Sequence, residues 1–588
     1  MLRHTSPPAI ASLLLVATLA AAQVSLPQAQ AWLPQAQASL PQAQEPAPQE
    51  PPAAEPEQEF FEAIRVNVVN IDVFVEDRQG NPITGLTADD FELQVDGRAV
   101  PIGNFYAATE ERLLASPERR PAPGPPPAPE PQPEAGPPPD QRLQLVFYVD
   151  NFNLRAPDRN RVLRSLERFV SAEVPAGTPM MLISYDHSLN VRQPFTTDPL
   201  LILDAAAEVE KLSGLAAGRD ADRRIALGEI DEADDEFEAL ATAASYAEAR
   251  QTELALPMEA LTRLMEPLGG LPGRKALVYV SSGLPKRVGE DLFVYIESRF
   301  QRSRARMRSF AYDLTTKYEE LTRAANTSGV TLYTLDAGGL MGFDSLSAEE
   351  GGSVQGGSFV EVDSVNRANL QAPLHQLAHA TGGRALTNSN NLELMFGQLL
   401  RDITTYYSLG YEATPADEQR FRRVEVEVKV PGARVRHRNG FRLLSQERRL
   451  EQGLLAALAL GQEGNRFGLR PVVGRPAPAD NGAFRVAVDI QIPLAEITLV
   501  PSGEHWLGRL LVAVQAMDEQ GRSSPLARSE PLELRIPDAD HEAALEQHVT
   551  WSAELVMRPG RQRLVVGLAD LLSGELGYTL GALDVPGG

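Results

Sequence analysis

The chain has 588 residues with 46 prolines, no cysteine, and 79 acidic against 55 basic side chains, a formal charge of -24. That length exceeds what one core supports, so two or three folded units are expected, and a hydrophobic fraction of 43% allows them real cores. The acidic balance argues against a general phosphate-backbone binder, and the absence of cysteine rules out disulfides, thiol catalysis, thiolate metal sites and lipoprotein anchoring together.

Arg3 and His4 precede the apolar run from Ala9 to Ala22, and small residues at Ala20 and Ala22 suit cleavage before Gln23. This is the pattern of a secretory signal peptide over 1–22. The run is shorter than the roughly 20 residues that cross a bilayer, and no later stretch is long and apolar enough to span one. An exported protein without a membrane span, periplasmic or extracellular, is the expectation. A seven-residue unit then recurs over 25–45 as SLPQAQA, WLPQAQA and SLPQAQE. Proline in every unit removes a helical hydrogen bond and defeats a coiled-coil reading, so 23–59 reads as an extended, disordered tether.

Folded sequence begins near Phe60, and 60–110 reads as a β segment. Val66 and Val68, then Ile71, Val73 and Val75, alternate like a strand with an irregularity near Asn70. Asp77-Arg78-Gln79-Gly80-Asn81-Pro82 is a turn, Phe91, Leu93 and Val95 alternate again, and Asp96-Gly97 turns a hairpin into Val100–Tyr106. Strands this few need a partner sheet. A proline tract over 111–141 separates them from the next unit and reads as a spacer.

Over 142–404 apolar strands alternate with helical stretches, which argues a doubly wound, mostly parallel α/β fold. Leu143–Asp150, Lys275–Ser282 and Thr331–Asp336 each stop at a polar residue, and in such a sheet ligands bind beyond the strand ends. Met180–Ser184 and Asn190–Phe195 are further strands, an amphipathic helix covers Arg159–Glu173, and Asp198 is placed to cap the next helix. A helix-prone insertion over 214–255, rich in Ala, Glu and Asp, is expected to project from the core.

The order LVFYVDNFN, MLISYD, ALVYVSSGLP, GVTLYTLDAGG and LHQLAHATGGRAL resembles a von Willebrand factor type A (vWA) domain. With VFVEDRQGNPITGLTADDFELQVDG ahead of it and YYSLGYEATPADEQRFRRVEVEVKVPGARVRHRNGF behind, roughly 64–445 is similar to the exported VWFA-related family abundant in Acidobacteria. The resemblance implies a divalent cation held by Asp-x-Ser-x-Ser after the first strand, a Thr in a later loop and an Asp after the fourth strand. Here the first motif is Asp150-Asn151-Phe152-Asn153-Leu154, Ser282 stands at the later Asp position, and no Thr matches the middle loop. One carboxylate with neutral neighbours holds Mg2+ poorly, so no metal and no cofactor are expected. If a metal binds, Asp150 is its anchor and Mg2+ or Ca2+ the alternative cofactor. The rim Asp150, Asn151, Asn153, Ser281 and Ser282 is the candidate surface for an unidentified protein partner.

Other constellations are weaker. His375 and His379 lie one helical turn apart, but Gln376 occupies the place of a zinc protease's general-base Glu, and Leu374, Leu377 and Ala378 mark a packing helix. The acidic stretch Glu229–Glu238 lacks a calcium loop's turn glycine, the pair Asp186-His187 has no placed nucleophile, and the glycines of 351–357 have no phosphate-binding Lys. No enzyme is expected. Beyond the α/β unit, 405–445 alternates like strands and is expected to pair with 60–110, which makes the α/β unit an insertion in a β-sandwich. A helical linker over 446–473 then leads to an immunoglobulin-like β domain over 474–588.

Overall fold

The computed structural model describes residues 67–109, 141–300, 303–339, 358–413 and 420–586. The expected signal peptide and repeat tether, nearly all of the 111–141 tract and the glycines of 351–357 lie outside the described residues. β1 (Asn67–Glu76) is unbroken. Val69, Ile71, Val73 and Val75 bury on one face while Val68 is 46% exposed on the other, so the irregularity expected near Asn70 is absent and the inward set starts at Val69. β2 (Phe91–Val95) and β3 (Arg98–Val100) form a hairpin. Its turn places Asp96 and Gly97 at φ +51° and +74°, the left-handed pair that matches strand twist. β4 (Asn104–Ala108) comes after it.

Next come β5 (Leu143–Val149), β6 (Met180–Tyr185), β7 (Leu189–Thr196), β8 (Arg274–Ser281), β9 (Val330–Asp336) and β10 (Ala385–Leu386). They make one mixed sheet in the order β10-β9-β8-β5-β6-β7, parallel except for the antiparallel edge strand β7. The chain runs outward from β5 to β7 and returns at β8, so the direction of winding reverses between β5 and β8, and that boundary opens a crevice.

Alternate residues feed two cores. Leu145, Phe147 and Val149 pack with the helices α1 (Ala156–Arg168) and α2 (Pro199–Glu210), whereas Val146 and Tyr148 face α3 (Ala216–Glu232), α4 (Glu236–Gly269), α5 (Glu290–Arg299) and α6 (Thr315–Ser328). α7 (Ser358–Ala380) joins the second group, and α8 (Leu392–Thr404) the first. Asp198 caps α2 by accepting from Leu200 N.

The insertion does not project. It forms α3 and most of α4, and Ile230, Ala239, Ala243 and Ala247 are fully buried in the sheet-facing core. The four-residue spacing of those alanines gives α4 a smooth stripe on which neighbouring elements close in.

The chain then returns to its first strands. β11 (Tyr406–Ala413), β12 (Phe421–Val428), β13 (Arg434–His437) and β14 (Gly440–Arg442) complete two sheets, β13-β1-β11-β4 and β14-β12-β2-β3. Ile71, Val73 and Leu409 of one meet Leu93, Val424 and Phe441 of the other in a shared core. The α/β unit is thus inserted between β4 and β11. A buried ion network ties them: Arg384 and Arg436 each donate to both Glu76 of β1 and Asp402 of α8.

α9 (Gln446–Leu460) is no open linker. Leu450, Leu454 and Leu458 bury against a six-stranded sheet, and Ala456 and Leu460 join the core of the α/β unit. That sheet faces a four-stranded one, with Val486, Val488 and Ile490 packed on Leu510, Val512 and Val566. The C-terminal region begins earlier than 474, since Phe467 and Leu469 belong to its core and Arg470–Val473 is one of its strands. It also ends on the strand Leu576–Val585, which sequence alternation did not single out. Among the described residues no helix is long and apolar enough to cross a membrane.

Candidate functional site

The β5–β8 boundary assembles the predicted residues, but mostly beneath the surface. Asp150 comes directly after β5 and is 1% exposed. Its Oδ2 accepts from Tyr279 Oη at 2.5 Å, Asn153 Nδ2 at 2.7 Å and Ser281 Oγ at 3.1 Å, and its Oδ1 accepts from Asn153 N at 3.2 Å. Burial, then the charge of Asp150, raise the Tyr279 phenol well above its ordinary value, so it stays a donor.

The residues standing where the resemblance implies serines face away from any ligand. Phe152 packs with Tyr185 in the core under α3 and α4, and Leu154 is fully buried in the core under α1 and α2. Asn151 also turns inward: its Oδ1 accepts from Arg159 Nη1 at 2.6 Å and its Nδ2 donates to the Ser213 carbonyl at 2.9 Å.

Above this layer lies a cavity of about 400 Å3, and of the five rim residues only Asn153 and Ser282 line it. The expectation of an open five-residue rim is corrected accordingly. Asp150, Asn151 and Ser281 are the buried floor, where buried polar groups need partners: Ser281 donates to Asp150, and Asn151 is satisfied by Arg159 and the Ser213 carbonyl.

One wall of the cavity comes from the insertion. Arg219 Nη1 and Arg250 Nη2 both donate to Asn153 Oδ1, at 2.8 and 2.9 Å. The Arg219 guanidinium lies 3.6 Å from the centre of the Phe152 ring, a cation–π seat. Burial, then the neighbouring Arg250, push Arg219 down to about 10 against the opposing pull of Asp150. It remains a cation at neutral pH. One turn along α3, Arg223 donates to Asp291 at 2.6 Å. The buried Nη2 atoms of Arg219 and Arg223 and the Oγ of Ser282 have no hydrogen-bond partner among the described residues.

Asp336, at the end of β9, also lines the cavity, with burial raising its carboxyl while Gln371 and the Gly338 amide hold it down. Sequence reasoning passed over these arginines. The spacing of Arg219 and Arg223, which sets both on one helix face, was the available signal.

This donor set does not fit the divalent cation that the resemblance implies. Asp150 already accepts from Asn153, Tyr279 and Ser281, and two guanidinium groups are bonded to the neighbouring Asn153. Among the described residues no three His, Asp or Glu side chains are grouped to hold a metal ion. His375 and His379 are exposed on α7, with Leu374, Leu377 and Ala378 buried. His187 is exposed, and Asp186 instead pairs with Arg192.

No protein-family profile matches the chain, and no curated protein does. Among solved structures it is similar to an aerotolerance-related membrane protein from Bacteroides fragilis, at 10% identity over 45% of this chain and 98% of that one, with a TM-score of 0.22. The PilB minor pilin from Streptococcus sanguinis, in a mutant form, gives 10% identity over 45% and 62% of the two chains and a TM-score of 0.25. Three N-terminal domains of the type V pili tip protein Mfa5 from Porphyromonas gingivalis give 10% identity over 89% and 77%, with a TM-score of 0.23. TM-scores this low carry no argument about the fold or the function of this chain.

Proposed function

We propose that the chain is an exported, non-catalytic interaction protein of the adhesion type, in which a vWA-like α/β domain binds a protein partner through the crevice above Asp150 without a metal. The observation that carries this reading is the Arg219 guanidinium, seated on Phe152 and hydrogen-bonded to Asn153, where the family pattern has its cation. A fixed guanidinium supplies positive charge and directed N–H donors to an incoming acidic side chain, as a metal does, but independently of chelators. The α/β unit stands on two β-sandwiches, an architecture that suits display although such sandwiches host many functions. The export part of the reading rests on 1–22.

The test is capture of a partner from the exported protein fraction by the immobilised chain, run in magnesium and in EDTA, with Arg219→Ala alongside. Retention in EDTA and loss in the variant are expected. Elution by EDTA would instead restore a metal-dependent adhesin using Mg2+ or Ca2+. Turnover of ester or peptide substrates above background would overturn the non-catalytic part.

A further inference from the structure

A second cavity, of about 950 Å3, lies at the opposite end of the sheet, where the first sandwich, the α/β unit, α9 and the C-terminal region meet. Besides the exposed Arg442 and Arg466, its wall holds four cations from three elements: Arg274 and Lys275 at the start of β8, Arg438 beyond β13, and Arg449 in the first turn of α9. Asp72 of β1 is bonded to Arg274 at 2.6 Å. Among the described residues neither Lys275, Arg438 nor Arg449 forms an ion pair with a carboxylate. Lys275 Nζ donates to the Leu271 carbonyl, Arg438 Nη2 to the Asn70 carbonyl, and Arg438 Nε is buried without a partner.

The cationic heads converge. A Cβ placed on Gly329 would lie 3.6 Å from both Lys275 Nζ and Arg438 Nη1, and the left-handed φ of +64° at Gly329 keeps that space free of a side chain. Of the two remaining acids on the wall, Glu575 is paired with Arg466 and Glu463 is exposed.

Burying like charges together is costly unless something offsets them. Asp72 offsets one. The C-terminal ends of α4 and α6, which both reach this cavity, supply about half a negative charge each. Roughly two positive charges are left over. Burial, then the field of Arg438, pull Lys275 down to about 8, in keeping with that surplus.

We propose that this junction binds a doubly charged oxyanion of the phosphate or sulfate type, held by Lys275, Arg438 and Arg449. The unpartnered hydroxyl of Tyr578, from the last strand of the C-terminal region, lines the same wall and adds a donor. An anion seated there links four parts of the chain through one ion. Binding is therefore coupled to the stability of the whole assembly.

The experiment is calorimetric titration and thermal melting of the 588-residue chain in a chloride buffer, with inorganic phosphate, inorganic sulfate and glycerol phosphate as separate probes. Sodium chloride at matched ionic strength is the control. Saturable binding and a raised melting temperature are expected, and Lys275→Met and Arg438→Met should each weaken binding at least about tenfold, since each removes a charge-assisted hydrogen bond. Tighter binding of glycerol phosphate would mark a phosphate ester as the ligand, and equal affinity the free ion. If a Met variant fails to fold, Arg449→Gln carries the same comparison. No saturable binding of any probe, or affinity unchanged in the variants, overturns the proposal. A salt effect on stability would persist in the variants and is thereby separated from a site.

Discussion

Tyr279 of β8 donates its hydroxyl to Asp150 at the end of β5, across 2.5 Å and over the boundary where the sheet reverses its winding. The bond makes Asp150 a structural anchor of the crevice floor. Tyr279→Phe leaves two other side-chain donors on Asp150 and is expected to cost about 2 kcal/mol, the range for a hydrogen bond to a charged group. Asp150→Ala removes the common acceptor of Tyr279, Asn153 and Ser281 and is expected to cost more. Urea unfolding of both variants measures the order, and a neutral Asp150→Ala would contradict the anchor role.

Asp402 is 4% exposed and shares Arg384 and Arg436 with Glu76. Asp402→Ala leaves two part-buried guanidinium groups on one carboxylate, and a loss of about 3 kcal/mol, the lower end for breaking a buried pair, is expected. The same network joins β1, β13 and α8, so the loss should appear as a single lower transition. A separate early transition of the sandwich would show that the network does not couple the two units.

The packing of the insertion is tested by contrast. Ala243 of α4 is fully buried, and Ala243→Leu forces added volume into a filled core at a cost of about 1–3 kcal/mol. Phe237, on the first turn of the same helix, is 82% exposed, and Phe237→Ala should stay within about 0.5 kcal/mol of the parent. Equal tolerance at both sites would mean that the insertion stands clear of the core.

Lys275 gives the chain a pH signature. Burial, followed by the Arg438 charge, lowers its ammonium from 10.5 to about 8. Between those values the unfolded chain binds the proton that the folded chain has released, so stability rises with pH across that window. Below about 8 both states hold the proton, and the cost of the buried charge is fully present. Lys275→Met should therefore be more stable than the parent at neutral pH in anion-free buffer, with the gap closing as pH climbs. Denaturation curves of the two proteins that stay parallel across the window would remove Lys275 as the cause.

Local patterns carried much of the architecture. Alternation marked β1, β2 and β12, and the polar stops at Asp150, Ser282 and Asp336 marked the strand ends that face the crevice. Asp96-Gly97 and Asp198 were legible because a left-handed turn and a helix cap depend on one or two residues and their immediate neighbours. The replacement of both motif serines by Phe152 and Leu154 was likewise visible in the chain alone.

What the sequence could not decide was which distant surfaces meet. An Ala-rich helical stretch reads alike whether it projects or packs, and α3 and α4 were seen to pack only once the sheet stood opposite them. The rim became a buried floor because Tyr279 and Ser281, from a strand about 130 residues away, join the neighbouring Asn153 in taking up Asp150, and that long-range approach is not written along the chain. The seating of Arg219 and Arg250 over Asn153, and the crowding of Lys275, Arg438 and Arg449 around one cavity, likewise depend on long-range approach. The periodicity of burial is a local property and is written in the sequence, whereas the partner of a charge is set by three-dimensional proximity and belongs to the tertiary structure.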